Sequence, residues 1–184
     1  HTKVNVYKAC VISTLLYGSE SWTMHTHQEK RLNVFHMRCL RRILGITWQD
    51  RVTNKVVLEK AGIQSLYTLL KQRRMRWLGH VTRMKDGRIP KDLLYGELAT
   101  WKRLTGRLQL RFKDVCKRDL QALGINTDSW EVTATDRDAW RHTVKVGLSQ
   151  YEETQRVKAE EKRLHKKTVC LASRLTTAIT FQVW

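Results

Sequence analysis

The 184-residue chain contains very little proline and few glycines. With one proline and nine glycines it cannot be a collagen-like or loop-rich protein, because such chains use these residues throughout. Hydrophobic residues make up 41% of the chain, which is too many for a disordered tail and enough for a buried core. No stretch approaches the length of about 18 consecutive apolar residues that a membrane-spanning helix needs. The sequence therefore predicts a globular chain with no membrane partner.

The four cysteines lie far apart, without the close pairs of a disulfide-rich domain or a zinc site. We therefore expect free thiols and an intracellular protein of the nucleus or the cytoplasm. His36 and Cys39 have a metal-ligand spacing, but they fall on the apolar face of a predicted helix, where core packing is the simpler interpretation. His25 and His27 form another pair, without further ligands. The sequence thus predicts no metal ion and no cofactor.

Acidic residues are scarce: 17 Asp and Glu stand against 35 Lys and Arg, which gives a net charge of +18. No Asp-Asp pair is available to hold Mg²⁺ for nucleotidyl transfer, and there is no glycine-rich phosphate loop. Asp136 and Asp138 are interpreted as charges at the positive end of a helix. The glutamates of residues 152–161 have cations nearby for pairing along a helix. We expect no catalytic residue in this chain alone, whereas its positive charge favours a polyanionic partner.

Apolar residues recur at helical spacing along most of the chain, and no alternating stretch is long enough to build a sheet. The predicted fold is all-α, an irregular helical bundle of about six to eight helices with a basic loop in the middle and a charged C-terminal helix. The spacing of Val4, Tyr7 and Val11 so soon after His1 leads us to expect a fragment of a longer protein. The predicted helices cover residues 2–16, 26–44, 54–61, 65–84, 111–123, 129–146 as one helix or two, and 149–167.

The helix predicted over 26–44 is the most clearly amphipathic, and a capping box from Thr26 to Glu29 is predicted to begin it. A Ser149-to-Glu152 box is likewise predicted to begin the charged helix. The cations of the first helix, Lys30, Arg31, Arg38, Arg41 and Arg42, are predicted to lie opposite its apolar face. The side chains predicted to be buried across the fold are Leu32, Phe35, Leu40, Leu66, Leu70 and Val81.

The positive charge is concentrated between Lys71 and Arg118, where 15 Lys and Arg stand against four acidic residues. Cations that follow one helix face suit a phosphate backbone, because they release condensed counterions without reading sequence. A merely solvated helix face is the alternative interpretation. Arg74 falls within the apolar arc, so we expect it to extend to solvent or to pair with a carboxylate. The cations and histidine predicted to share the exposed arc are Arg73, Arg76, His80 and Arg83.

A second basic cluster occupies a glycine-broken loop that leads into a helix. Such a loop binds phosphates through side chains and backbone amides together, and a loose solvated loop is the alternative. Trp77 and Trp101 are candidates for stacking on bases, although the spacing of Trp77 is more typical of a core residue. The cations predicted to bind phosphate in this loop are Lys102, Arg103, Arg107 and Arg111.

Five strings resemble, in the same order, the region that follows the polymerase core in non-LTR (LINE-type) retrotransposon reverse transcriptases. The resemblance covers about residues 2–148, and an ordered set of this length is far more specific than any one string. Relatives commonly have Gly-Arg-Pro where this chain has Gly106, Arg107 and Leu108. The strings are LLYGSESW (15–22), RCLRRILGITWQDRVTN (38–54), RRMRWLGHVTRM (73–84), IPKDLLYGEL (89–98) and DRDAWR (136–141).

The resemblance implies a full-length parent that is an RNA-directed DNA polymerase with an endonuclease. The Tyr-x-Asp-Asp turn of such polymerases has no counterpart here, so the chain is expected to be non-catalytic. Its implied partners are RNA, DNA or both, and the upstream polymerase core of the same polyprotein. The implied regions are the end of a thumb-like helical segment (1–24), a basic helical nucleic-acid-binding region (25–148), and a charged helix and tail of unknown role (149–184).

Three hypotheses about function remain open from the sequence. The first is a non-catalytic segment that holds template, primer or target DNA through phosphate contacts. The second is a segment that acts only within an active polymerase whose core is supplied by the same or another chain. The third is a captured cellular helical protein whose basic face binds an acidic protein partner.

Overall fold

The structure, a computed structural model, describes residues 2–96 and 111–181, with side chains through residue 169. All regular structure in these two ranges is helical, which confirms the all-α prediction. Helix α1 consists of α-helical Thr2–Val6, π-helical Tyr7–Ile12 and α-helical Ser13–Leu15, and a short 3₁₀ turn, Ser19–Ser21, follows it. The remaining helices are α2 (Thr26–Leu44), α3 (Asn54–Ala61), α4 (Leu66–Thr82), α5 (Ile89–Tyr95), α6 (Phe112–Ala122), α7 (Trp130–Thr135) and α8 (Arg137–Phe181).

The predicted helix ends around α3 are confirmed. Gly45 and Gly62 adopt left-handed backbone conformations, with φ of +67° and +57°, and end α2 and α3. A glycine tolerates this conformation without steric cost, and the backbone then turns back to satisfy the last carbonyls of the helix. The Ser65 hydroxyl accepts a hydrogen bond from the Thr68 amide at 3.2 Å and so begins α4.

Two predictions about α2 are wrong. His25 precedes the helix in place of the predicted Thr26 cap, and its amide donates to the Gln28 side chain at 2.9 Å. Phe35 is 44% exposed, whereas His36 and Leu40 are buried. The buried side of α2 is thus shifted around the helix toward His36 and Met37, with Leu40 still in the core, because His36 packs on Tyr7 of α1.

The prediction that a separate charged helix begins at Ser149 is also wrong. Helix α8 is continuous from Arg137 to Phe181, and the Ser149 hydroxyl donates to the Lys145 carbonyl one turn earlier at 3.1 Å. The predicted boundary between residues 148 and 149 therefore lies inside a helix, and the division into three regions stays a prediction. For residues 88–110 the sequence predicts a loop with one short helix or strand, and α5 is such a helix, with Pro90 in its first turn, where proline is tolerated.

Helix α4 is the central element, because it contributes to both hydrophobic clusters. Leu66 and Leu70, near its start, pack with the side chains of α1, α2 and α3. Val81 packs with the side chains of α5 to α8 near its other end. Burial of Leu40, Leu66, Leu70 and Val81 is confirmed, and Leu32 is half-buried against the first cluster.

Buried charges join α4 to α2 and α6. Arg74 is fully buried, and its Nε donates to the Asp119 carboxylate at 2.6 Å while its Nη2 lies 3.4 Å from the Glu29 carboxylate. Lys71 pairs with the other oxygen of Asp119. Of the two alternatives expected for Arg74, the structure shows the pairing with carboxylates. Because a buried charge is costly without a partner, this ion cluster determines how α4, α2 and α6 pack.

Within the described part of the chain, no helix combines the length and the apolar character that crossing a bilayer requires.

Candidate nucleic-acid interface

Helix α4 exposes few of the side chains predicted to bind phosphate. Arg76 and His80 are exposed, and the His80 ring lies 5.3 Å from that of Trp77. Trp77 itself is half-buried and packs against the second hydrophobic cluster, as its spacing predicts for a core residue. Of the four side chains predicted to share the exposed arc of this helix, the structure therefore exposes Arg76 and His80.

Arg73 and Arg83 are half-buried, and each already donates to a backbone carbonyl. Arg73 Nη1 donates to the Leu16 carbonyl at 2.7 Å, and Arg83 Nη1 donates to the Ala134 carbonyl at 2.6 Å. These hydrogen bonds attach α4 to the end of α1 and to α7. Phosphate binding by Arg73 and Arg83 stays a prediction, but both guanidinium groups also hold the fold together.

The predicted basic loop lies largely outside the described residues, since Lys102, Arg103 and Arg107 fall within 97–110. Its last member, Arg111, is exposed and immediately precedes α6. Phosphate binding by all four residues stays a prediction.

A further set of exposed cations lies on α2. Arg31, Arg38 and Arg42 are exposed, and their spacing of seven and four residues brings them onto one stripe of the helix. Val34 and Phe35 flank this stripe and are 58% and 44% exposed. The sequence predicts these cations on the solvent face of α2, but they were not among the side chains predicted to bind phosphate. Their spacing of seven and four residues is the sequence signal that indicates a basic stripe on one side of this helix.

A groove of about 650 Å³ lies along the C-terminal half of α2. Val34, Met37 and Ile46 give it an apolar lining, and Arg38 and Arg42 give it positive charge. Arg41 also lines the groove, but its Nη2 donates to the Val52 carbonyl at 3.1 Å and to Asn54 Oδ1 at 2.7 Å. These bonds attach the loop after α2 to the helix.

That loop carries the most exposed aromatic ring described in the structure. Trp48 is 85% exposed, next to Thr47, which lines the groove. The Thr47 amide donates to the Asp50 carboxylate at 2.7 Å, and its hydroxyl donates to the same oxygen at 3.0 Å. These two hydrogen bonds hold the pKa of Asp50 below its usual value and fix the turn that bears Trp48.

His36 and Cys39, which have a metal-ligand spacing, pack in the core, as the sequence predicts. His36 is buried, and its Nδ1 is hydrogen-bonded to the Tyr7 hydroxyl at 2.9 Å. Burial lowers the pKa of His36 to about 4 and raises that of Tyr7 to about 12, with the nearby Cys39 adding to the latter shift. His36 is therefore neutral at physiological pH. The residues that the structure describes contain no group of three His, Cys, Asp or Glu side chains placed to hold a metal ion.

Little of the positive charge is neutralised within the fold. Among the side chains described, only six Lys and Arg residues pair with a carboxylate, and two of these, Lys71 and Arg74, belong to the buried ion cluster. The exposed cations of α2 and the exposed Arg76 have no carboxylate partner within residues 2–96 and 111–169. The surface therefore presents an excess of cations that is available to an external polyanion.

Comparison with known proteins shows a similarity to a transposon-derived protein. A curated protein of Caenorhabditis elegans, named as an uncharacterized transposon-derived protein, is 29% identical to this chain over 150 residues. The match covers 78% of this chain and 54% of the relative, so the chain spans about half the length of the curated relative it matches. No family model matches the chain, and no solved structure matches it. The similarity points to a transposon origin.

Two of the segments that resemble reverse transcriptases meet in the fold. Trp140, from the string at 136–141, donates through Nε1 to the Met75 carbonyl, in the string at 73–84, at 2.9 Å. A Cβ atom at Gly79 would overlap the Trp140 ring. Asp136 accepts from the Asp138 amide at 2.9 Å at the start of α8, and Asp138 pairs with Arg141 at 3.4 Å. These two strings thus contain the residues that attach α8 to α4.

Proposed function

We propose that this chain is a non-catalytic nucleic-acid-binding segment of a transposon-derived, LINE-type reverse transcriptase. In this proposal it holds template RNA, primer or target DNA through phosphate contacts, beside a polymerase core supplied by the parent protein. The ordered resemblance of five strings supports the reverse-transcriptase part. The transposon-derived relative agrees with it at the coarser level of a transposon origin.

The observation that carries the binding proposal is the surplus of exposed cations without carboxylate partners. A net charge of +18 would repel itself in the folded chain, and a polyanion relieves this repulsion. Phosphate contacts release counterions and need no sequence-reading groups, so the expected binding is largely independent of sequence. The proposed contacts are the exposed Arg76, His80 and Arg111, the predicted Arg73, Arg83, Lys102, Arg103 and Arg107, and the stripe on α2.

A salt titration of the full chain tests the binding proposal. Fluorescence anisotropy with one labelled duplex and one labelled single strand gives the affinity at several salt concentrations. If seven of these cations contact phosphates at one time, log affinity should fall with log salt at a slope of roughly −6 on duplex DNA and about −5 on single strands. Binding that is insensitive to salt would contradict the proposal and would favour an acidic protein partner held by apolar contacts.

The reverse-transcriptase part needs a separate test, because many proteins bind nucleic acid. A fingers–palm fragment of a LINE-type polymerase, made without its C-terminal region, is mixed with this chain and assayed for primer extension. We expect the chain to increase extension by the fragment and to give none by itself. Extension that is unchanged when the chain is added, despite nucleic-acid binding by the chain, would count against a role beside the polymerase core.

A further inference from the structure

We infer that the groove on α2, together with Trp48, binds unpaired nucleotides, so that single-stranded nucleic acid is the ligand of this surface. The inference rests on the proposed function and adds to it the place of binding and the strand form. It concerns Arg38, Arg42 and Trp48, none of which was among the side chains predicted from the sequence to bind phosphate.

The chemistry of the groove matches a single strand better than a duplex. Its lining combines the apolar side chains Val34, Met37 and Ile46 with the guanidinium groups of Arg38 and Arg42. A duplex presents phosphates on its outside and keeps its base faces stacked within, so an apolar lining gains nothing from it. An unpaired nucleotide offers a phosphate for the cations and an aromatic face for the apolar surface.

The geometry of α2 suits contacts with two successive phosphates of a nucleic-acid strand. Arg38 and Arg42 are four residues apart, which places them about 6 Å apart along the helix axis. Both side chains are exposed, and neither pairs with a carboxylate within the described part of the chain. Both guanidinium groups are therefore available to an anionic ligand.

Trp48 supplies a stacking platform and directly follows Thr47, which lines the groove. It lies in a turn held by two hydrogen bonds from Thr47 to Asp50, and most of its surface is exposed. Such exposure of a large apolar ring costs solvation free energy, which a stacked base recovers. Stacking is tolerant of sequence, in agreement with a binding segment that does not read bases by hydrogen bonds.

An acidic amphipathic peptide is the competing ligand, since it also combines negative charge with apolar groups. The surface favours the nucleotide because it combines an exposed aromatic ring, which stacks on a base, with cations that bind a phosphate. The experiment therefore includes such a peptide.

The test uses the full chain and labelled single-stranded RNA and DNA, with a matched duplex. Arg38→Gln/Arg42→Gln should lower the single-strand affinity about 10- to 30-fold at about 100 mM salt and reduce the magnitude of the salt slope by about 1.4. The matched control is Lys162→Gln/Lys166→Gln, which removes the same charge at the same spacing from exposed positions of α8. We expect this control to change the single-strand affinity less than threefold, a range on the order of a weak surface effect.

The stacking contact is tested with Trp48→Ala and Trp48→Phe. Trp48→Ala should lower single-strand affinity about tenfold, whereas Trp48→Phe should keep most of it because phenylalanine also stacks. On an abasic oligonucleotide, wild type and Trp48→Ala should bind equally, since no base is present to stack. All these side chains are exposed, so melting temperatures of the variants should match wild type, and a melting control verifies this.

The outcomes separate this inference from the proposed function. Absence of nucleic-acid binding by wild type would defeat both. Wild-type binding with the α2 double variant equal to its control, or with duplex preferred, would overturn the inference and leave the proposed function standing. An acidic amphipathic peptide that binds the groove and that single strands fail to displace would also overturn it.

Discussion

Gly79 lies where α8 packs on α4, directly against the Trp140 indole ring. Alanine in a helix interior is ordinarily favoured over glycine by about 1 kcal/mol. Here the added methyl group would overlap the ring and disturb the hydrogen bond from Trp140 to the Met75 carbonyl. We therefore expect Gly79→Ala to lower the free energy of unfolding by about 2–4 kcal/mol, as measured by chemical denaturation.

Gly45→Ala is the matched control for this substitution. A Cβ at Gly45 has no neighbour within 4 Å, so only its left-handed backbone conformation opposes the change. A cost of about 1 kcal/mol is expected there. If Gly79→Ala instead stabilised the protein, as helix propensity alone predicts, the close packing of Trp140 on Gly79 would be wrong.

His36 makes the stability of the fold depend on pH. Its pKa is about 4 in the folded protein because of burial, against an ordinary value of 6.5. Between these values the unfolded chain binds more protons than the folded one, so stability is fully present above about pH 6.5 and falls as the pH decreases toward 4. The difference in pKa corresponds to a loss of about 3 kcal/mol at most.

Denaturant titrations of wild type and His36→Gln between pH 7 and pH 4 measure this contribution. His36→Gln should remove it, so the difference between the two stability curves isolates the imidazole from the carboxylates that titrate in the same range. His80→Gln, at an exposed position of α4, should keep the wild-type curve. Parallel curves for wild type and His36→Gln would show that His36 does not stay neutral in the folded protein.

At the scale of the elements, α4 carries two arginines with different roles. Arg74 is buried between Asp119 of α6 and Glu29 of α2, whereas Arg76 is exposed. Removing the Arg74 guanidinium leaves Glu29 without its cation and Asp119 with Lys71 alone. Arg74→Met should therefore destabilise the fold by about 3–5 kcal/mol, as expected when one partner of a buried ion cluster is lost. Arg76→Met should change stability by less than about 0.5 kcal/mol and weaken nucleic-acid binding.

Thermal melting and binding, measured on the same two variants, check this difference. The triple variant Lys71→Met/Arg74→Met/Asp119→Leu should recover part of the lost stability, because it removes the three closely paired buried charges together. Equal melting temperatures for Arg74→Met and Arg76→Met would contradict the structural role of the buried ion cluster.

At the scale of the whole molecule, the two hydrophobic clusters share α4. Leu66 and Leu70 lie in the first and Leu78 in the second, so neither cluster keeps its packing if α4 unfolds. We expect one cooperative transition for the chain. Leu40→Ala in the first cluster and Leu120→Ala in the second should each shift that same transition, by about 2–5 kcal/mol of unfolding free energy.

Melting followed by both circular dichroism and tryptophan fluorescence tests this cooperativity. Leu164→Ala, at an exposed position of α8, is the control and should leave the transition unchanged. If Leu40→Ala separated the melt into two steps while Leu120→Ala affected only the second, the clusters would be independent units.

The all-α fold class, most helix positions and several helix ends were predictable from the sequence, because they depend on interactions within a few residues. Gly45 and Gly62 end helices because their own backbones adopt left-handed conformations, and Ser65 begins one through its own hydroxyl. That Arg74 either extends to solvent or pairs with a carboxylate was likewise predictable, since it lies within an apolar arc, but only the fold decided between the two. The excess of positive charge follows from composition alone.

The tertiary structure decided which side of α2 is buried and which arginines remain exposed. Phe35 is exposed and His36 is buried because His36 packs on Tyr7, 29 residues earlier in the chain, and periodicity within α2 carries no information about that contact. Arg73 and Arg83 share an arc with Arg76, yet they donate to the carbonyls of Leu16 and Ala134, each more than 50 residues away. Local sequence determines where a helix forms and how its side chains are spaced around it. Which of those side chains face solvent depends on segments that only folding brings together.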